Sequence, residues 1–113
     1  TEAKIKYPEL KVTVFDAEHD VLNENYDIIV HWGLLYHLEN IDDHLKNICE
    51  HCTYLFLETE VSDSNDPFFK INTTEEGYDQ SLTGHGTRPS PAYVERLLRD
   101  NNFQFTIFNF HSN

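Results

Sequence analysis

Cationic side chains are scarce in this chain: eight lysines and arginines stand against twenty aspartates and glutamates in 113 residues, a formal charge of −12. Attraction to a nucleic-acid backbone or an anionic lipid surface needs a basic face, so this balance argues against both partners. Long apolar runs are missing as well, since no stretch approaches the ~20 residues of a spanning helix. The polar opening TEAKIKYPE has none of the apolar core of a signal peptide. With only two cysteines, Cys49 and Cys52, the chain has no disulfide framework of the secreted kind. The expectation is a cytoplasmic protein without a membrane partner. Two chemistries lack their signatures too. No GxSxG elbow is present for a serine nucleophile. Cys49-Glu50-His51-Cys52 has no second pair of ligands to complete a structural zinc site, so no metal is expected.

What is present is most informative from Tyr26 to Leu38, YDIIVHWGLLYHL. Ile28, Ile29 and Val30 are apolar without alternation, the pattern of a parallel strand buried on both faces. The strand stops at His31, Trp32, Tyr36 and His37, gathered around Gly33. Ligands of open α/β sheets bind at the carboxyl ends of strands, which makes this cluster a candidate site. The competing reading is that Trp32, Leu34, Leu35 and Leu38 are simply core.

The remaining elements follow in order. Lys11 to Phe15, KVTVF, reads as a strand closing at Asp16, after a turn at Tyr7-Pro8-Glu9. Asp16 to Asn25 is loop or one helical turn. Asn40 caps a helix with Asp42 and Asp43 in its first turn, and Ile41, Leu45, Ile48 and Cys52 share one face of it. Tyr54 to Thr59 is the next apolar strand, with Glu58 at its end. Ser62 to Pro89 is polar and too long for an ordinary connection, which suggests a lid or binding loop. Ser90-Pro91 opens a helix with the stripe Val94, Leu97 and Leu98, stopping at Asn101-Asn102. Phe103 to Phe110 alternates like a half-buried strand. Strands alternating with helices predict one α/β domain with a mainly parallel sheet.

Several side chains suit ligand chemistry. Asp16, followed by the small Ala17, can accept from an adenine amino group or a ribose hydroxyl, or stand as a solvated acid. Tyr36 and His37 offer a polar tip and a group that titrates near neutrality. Glu58, at the end of a buried strand, is the sharpest carboxylate. In His85 to Pro89, HGTRP, glycines on either side of His85 permit close backbone approach, and Arg88 suits a carboxylate or phosphate.

Taken together, KYPELKVTVFDAE, YDIIVHWGLLYHLEN, LFLETEV and GYDQSLTGHGTRPSPAYVERLLRDNNF resemble, in their order and spacing, the class I S-adenosylmethionine-dependent methyltransferases. The resemblance implies S-adenosylmethionine as cofactor, with Asp16 and Ala17 at the adenine and His31, Trp32 and Gly33 at the methionine end. Tyr36, His37 and Glu58 would face the acceptor, a small molecule or nucleobase, with His85 and Arg88 binding it. The family's opening strand and glycine-rich turn have no counterpart, for the four glycines stand at 33, 77, 84 and 86. The expected fold is therefore a truncated Rossmann-like methyltransferase domain over residues 1–113. About four strands form its mainly parallel sheet, with helices packed on it and the Lys11 element moved beside that from Tyr26. Exposed sheet edges make a homo-oligomer a further expectation, and a non-catalytic binding or oligomerisation module is the alternative function.

Overall fold

The two apolar runs at the centre of the sequence find each other. In this computed structural model, which describes residues 11–74 and 83–108, β1 (Tyr26–Trp32) lies parallel to β2 (Cys52–Glu58). Ile28 stands opposite Tyr54, Val30 opposite Phe56 and Trp32 opposite Glu58. A parallel pair needs a crossover, and here it holds a single 3-10 turn (Leu35–His37) and helix α1 (Ile41–Glu50). The helix begins where the sequence places it, with the Asn40 side chain accepting from the Asp43 amide and two aspartates in the first turn. It ends at Glu50, so Cys52 belongs to β2 and not to the helix face.

Within the segment expected to be a lid or binding loop, described residues form a second sheet. β3 (Lys70–Thr74) and β4 (His85–Pro89) pair antiparallel, Lys70 opposite Pro89 and Thr74 opposite His85. Helix α2 (Pro91–Asp100) follows directly. The Ser90 hydroxyl accepts from the Tyr93 amide and Pro91 sits in the first turn. Its far end is closed by Asn102 at φ 66, with the Phe103 amide donating to Leu98 and the Asn102 amide to Arg99. That is the six-to-one, five-to-two pattern of a helix stopped by a left-handed residue.

The architecture corrects the expected sheet. Instead of one mainly parallel sheet of about four strands, the described residues form a small α/β arrangement of two two-stranded sheets, one parallel and one antiparallel, with two helices. Lys11–Phe15 forms no strand and is not paired with β1. Strand propensity alone does not make a ladder, and further on the chain is tied to α1, where the Leu22 amide donates to Asn47 Oδ1. Residues 103–108 alternate as expected yet form no strand: the Phe103 amide closes α2, and the Arg99 guanidinium lies 5.0 Å from the Phe105 ring centroid. The turn at Tyr7-Pro8-Glu9 and the end of the Phe103 segment lie outside the described residues.

The core is the cluster Leu35, Leu38, Ile41, Leu45, Tyr93 and Leu97, with Ala17, Leu55 and Leu57 packed on it. It joins the helix side of the parallel pair to the second sheet and its helix. The other face of the parallel pair is bare: Ile28, Val30, Trp32, Tyr54 and Phe56 are each more than half exposed. The sequence pattern predicts burial on both faces, and only one is buried, because both helices pack on the same core. No helix among the described residues is long and apolar enough to cross a membrane.

Candidate functional site at the carboxyl ends of the parallel strands

Strand alternation sorts the site residues between two faces. His31 points toward α1 and is buried at 4% exposure, while Trp32, one position on, stands on the open face. Trp32 is the cross-strand partner of Glu58, so an indole and a carboxylate sit side by side where β1 and β2 end. Gly33 makes the exit: its φ of 67 is left-handed, and its amide donates to the Glu58 carbonyl at 3.2 Å. That bond closes the strand pair and turns the chain into the 3-10 turn.

On the helix side the arrangement is a hydrogen-bonded relay. His44 Nδ1 lies 3.1 Å from the Ala17 carbonyl, which can only accept, so Nδ1 carries the proton. His44 Nε2 is then an acceptor, and His31 Nε2 donates to it at 2.7 Å. His31 Nδ1 is left as a lone pair, buried and without a hydrogen-bond partner. Burial, reinforced by the neighbouring His44, pushes the His31 pKa down to about 4, and burial lowers that of His44 too. Both rings are neutral at pH 7.

Asp16 and Ala17 reach this end of the sheet through the relay. The Asp16 carboxylate organises its own turn, accepting from the Glu18 amide at 2.9 Å and meeting His19 Nδ1 at 2.8 Å. The hydrogen bond from His19 holds the Asp16 pKa below the usual carboxylate value, and Asp16 raises that of His19 in return. Glu18 next accepts from the amides of Glu39 and Asn40, tying the turn to the start of α1.

Beyond Gly33 a third group assembles around Arg88. Its guanidinium donates to the Tyr36 carbonyl at 2.9 Å, lies 4.9 Å from the Tyr36 ring centroid and pairs with Glu60 at 3.3 Å. The His37 ring leans on Tyr36 at 4.1 Å between centroids. Beside it Thr87, fully buried, donates to the Leu38 carbonyl at 2.7 Å. The second sheet is thereby fastened to the turn that follows β1.

Of the ten residues the sequence singles out, Trp32, Gly33 and Glu58 meet at the strand ends, and Tyr36, His37 and Arg88 form one adjoining cluster. Asp16, Ala17 and His31 form another group behind the sheet. His85 stands apart, at the start of β4 opposite Thr74 and in contact with Thr83. Sequence reasoning missed His44, Glu18, Glu60 and Thr87. His44 was the accessible one, since it falls on the apolar stripe three residues after Ile41. The others take their meaning from distant partners and carry no local signal.

Chemically, an aromatic face next to a carboxylate on a strongly acidic chain suits a positively charged ligand group. No group of three or more metal-ligating side chains lies together among the described residues. A scan of protein-family models and searches of curated proteins and of solved structures return no match.

Proposed function

We propose that this chain serves S-adenosylmethionine-dependent methyl transfer to a small molecule or nucleobase, as a methyltransferase or a fragment of one. The observation that carries this reading is the Trp32–Glu58 pair at the carboxyl ends of adjacent parallel strands, because the donor's sulfonium is a cation of the kind that an indole and a carboxylate hold. The motif order described above supports it, as does the place of the pair at the carboxyl ends of parallel strands, where ligands of α/β sheets bind. Trp32 and Glu58 would hold the sulfonium here, and the cofactor would supply an electrophilic methyl group to an acceptor lone pair, the carbon–sulfur bonding electrons staying on sulfur. Gly33 lets the chain turn away and leave that end open. Tyr36, fastened through Arg88, and the His37 ring tilted against it orient the acceptor, and His37 takes a proton where the acceptor has one to lose. The reaction belongs in the cytoplasm, a setting in keeping with Cys49 and Cys52 as free thiols.

Trp32 is the sole tryptophan, so its fluorescence reports directly on the site. Titration with S-adenosylmethionine and with S-adenosylhomocysteine should give saturable changes in the micromolar range. The charged donor should bind more tightly, and Glu58→Gln should weaken it about tenfold while affecting the uncharged product less. Absence of any fluorescence or calorimetric response to either compound at millimolar concentration would overturn the reading.

The bare apolar face of the parallel pair favours a second reading, a binding or oligomerisation module in which methyl transfer plays no part.

A further inference from the structure

We infer that the open face of the β1–β2 sheet is a self-association surface, occupied in solution by the same face of a second copy of this chain. The patch is a ladder of cross-strand neighbours, Ile28 beside Tyr54 and Val30 beside Phe56, bounded by Tyr26, with Trp32 and Glu58 beyond its far end at the proposed cofactor site. Three of these five side chains are aromatic, and at their observed exposures they present roughly 500 Å² of surface, taking about 150–250 Å² for a whole aromatic side chain. A standard interface buries about 800 Å² per partner, so the patch supplies most of one and its rim can supply the rest.

Chemistry selects the occupant. Among the residues of β1 and β2 on this face the one acid is Glu58, which flanks Trp32, and Glu24 meets the Tyr26 hydroxyl at the other end. The centre carries no charge for a basic partner to match. A two-fold axis through the patch sets an equally uncharged, equally wide sheet against it, and two such sheets interlock with their strands about 30° apart. Parallel strands are otherwise found covered on both faces, and this arrangement covers the second one. The cost is repulsion between two chains of −12 each. Added salt screens that repulsion, whereas it would weaken the binding of a basic helix.

Sedimentation of the 113-residue chain across a concentration series tests the inference. A monomer–dimer equilibrium is expected, tightening between 50 mM and 500 mM sodium chloride, with salt values set so that the screening length shortens from well above 10 Å to a few ångströms. Val30→Lys and Phe56→Lys should each weaken the dimer at least about tenfold, although both reduce the net negative charge. Both positions are exposed, so circular dichroism should show the fold unchanged. Val21→Lys, equally exposed but next to Leu22, which is bonded to α1, should leave the dimer intact. A folded chain that stays monomeric at millimolar concentration overturns the inference, as does a dimer unaffected by Val30→Lys and Phe56→Lys. Capture of a basic amphipathic helical peptide by a chain that does not dimerise would assign the face to that partner instead.

Discussion

His31 and His44 illustrate how much chemistry a single contact can carry. Two imidazoles whose Nε2 atoms are 2.7 Å apart share one proton between them and have no room for two. The folded protein therefore resists protonation that the unfolded chain accepts. The sign follows from the direction of the shift. His31 has a pKa of about 4 when folded, against an ordinary 6.5. The penalty is absent above pH 7, grows as pH falls through 6.5 and levels off below about 4. On the order of 3 kcal/mol is lost across that window from His31, and His44 adds in the same direction. His19, raised by Asp16, contributes with the opposite sign, but it is a surface group. Urea midpoints should therefore fall steadily from pH 7 to pH 4.5. His31→Gln, which can still donate to His44, should flatten the profile. An unchanged slope would mean that the carboxylates dominate acid unfolding.

At the scale of elements, the local signals fared unevenly, and the difference is physical. Both helices begin where capping residues put them, and α2 also ends there, because a cap is a bond between residues three or four positions apart. Ser90 does more than cap α2: its hydroxyl also donates to the Asp66 carbonyl at 2.6 Å, and its amide to Phe69 at 2.9 Å. Ser90→Ala removes the cap and leaves the part-buried Asp66 contact unmade, so thermal or urea unfolding should register a loss of about 1–2 kcal/mol. Ser90→Asn, which restores only the cap, should recover part of it. The strands were less legible. KVTVF and FQFTIF carry strand patterns without becoming strands, while the polar KINTT and HGTRP pair well. A strand is completed by its neighbour, and no local pattern names that neighbour.

For the whole molecule, one small core does the joining. Leu45 is fully buried where α1 meets Leu35, Tyr93 and Leu97, so it connects the parallel pair to the second sheet's helix. Leu45→Ala should cost 2–5 kcal/mol, by the usual range for such truncations. Small domains have roughly 5–15 kcal/mol to lose, so the variant should unfold at markedly lower urea with both sheets melting together. If amide exchange showed one sheet surviving the loss of the other, the two would be separate cooperative units. Tyr93 adds a polar tie across the same junction, its hydroxyl donating to Asp42 Oδ1 at 2.5 Å.

The sequence by itself determined what depends on near neighbours or on totals. It set the acidic balance, the starts of both helices and the end of α2, the turn at Gly33, and the apolar character of the two strands that pair in parallel. Tertiary structure alone decided the rest. It made two small sheets instead of one, because hydrogen bonds between strands depend on which edges meet. It turned Ser62–Pro89 partly into a hairpin, and brought Arg88 from far along the chain to Tyr36 and Glu60. It left one face of β1 and β2 bare, since the same apolar residues serve a core or an interface and only packing chooses between them. The pairing of Trp32 with Glu58 lies between these cases: each residue was visible at a strand end, and only the register set them side by side.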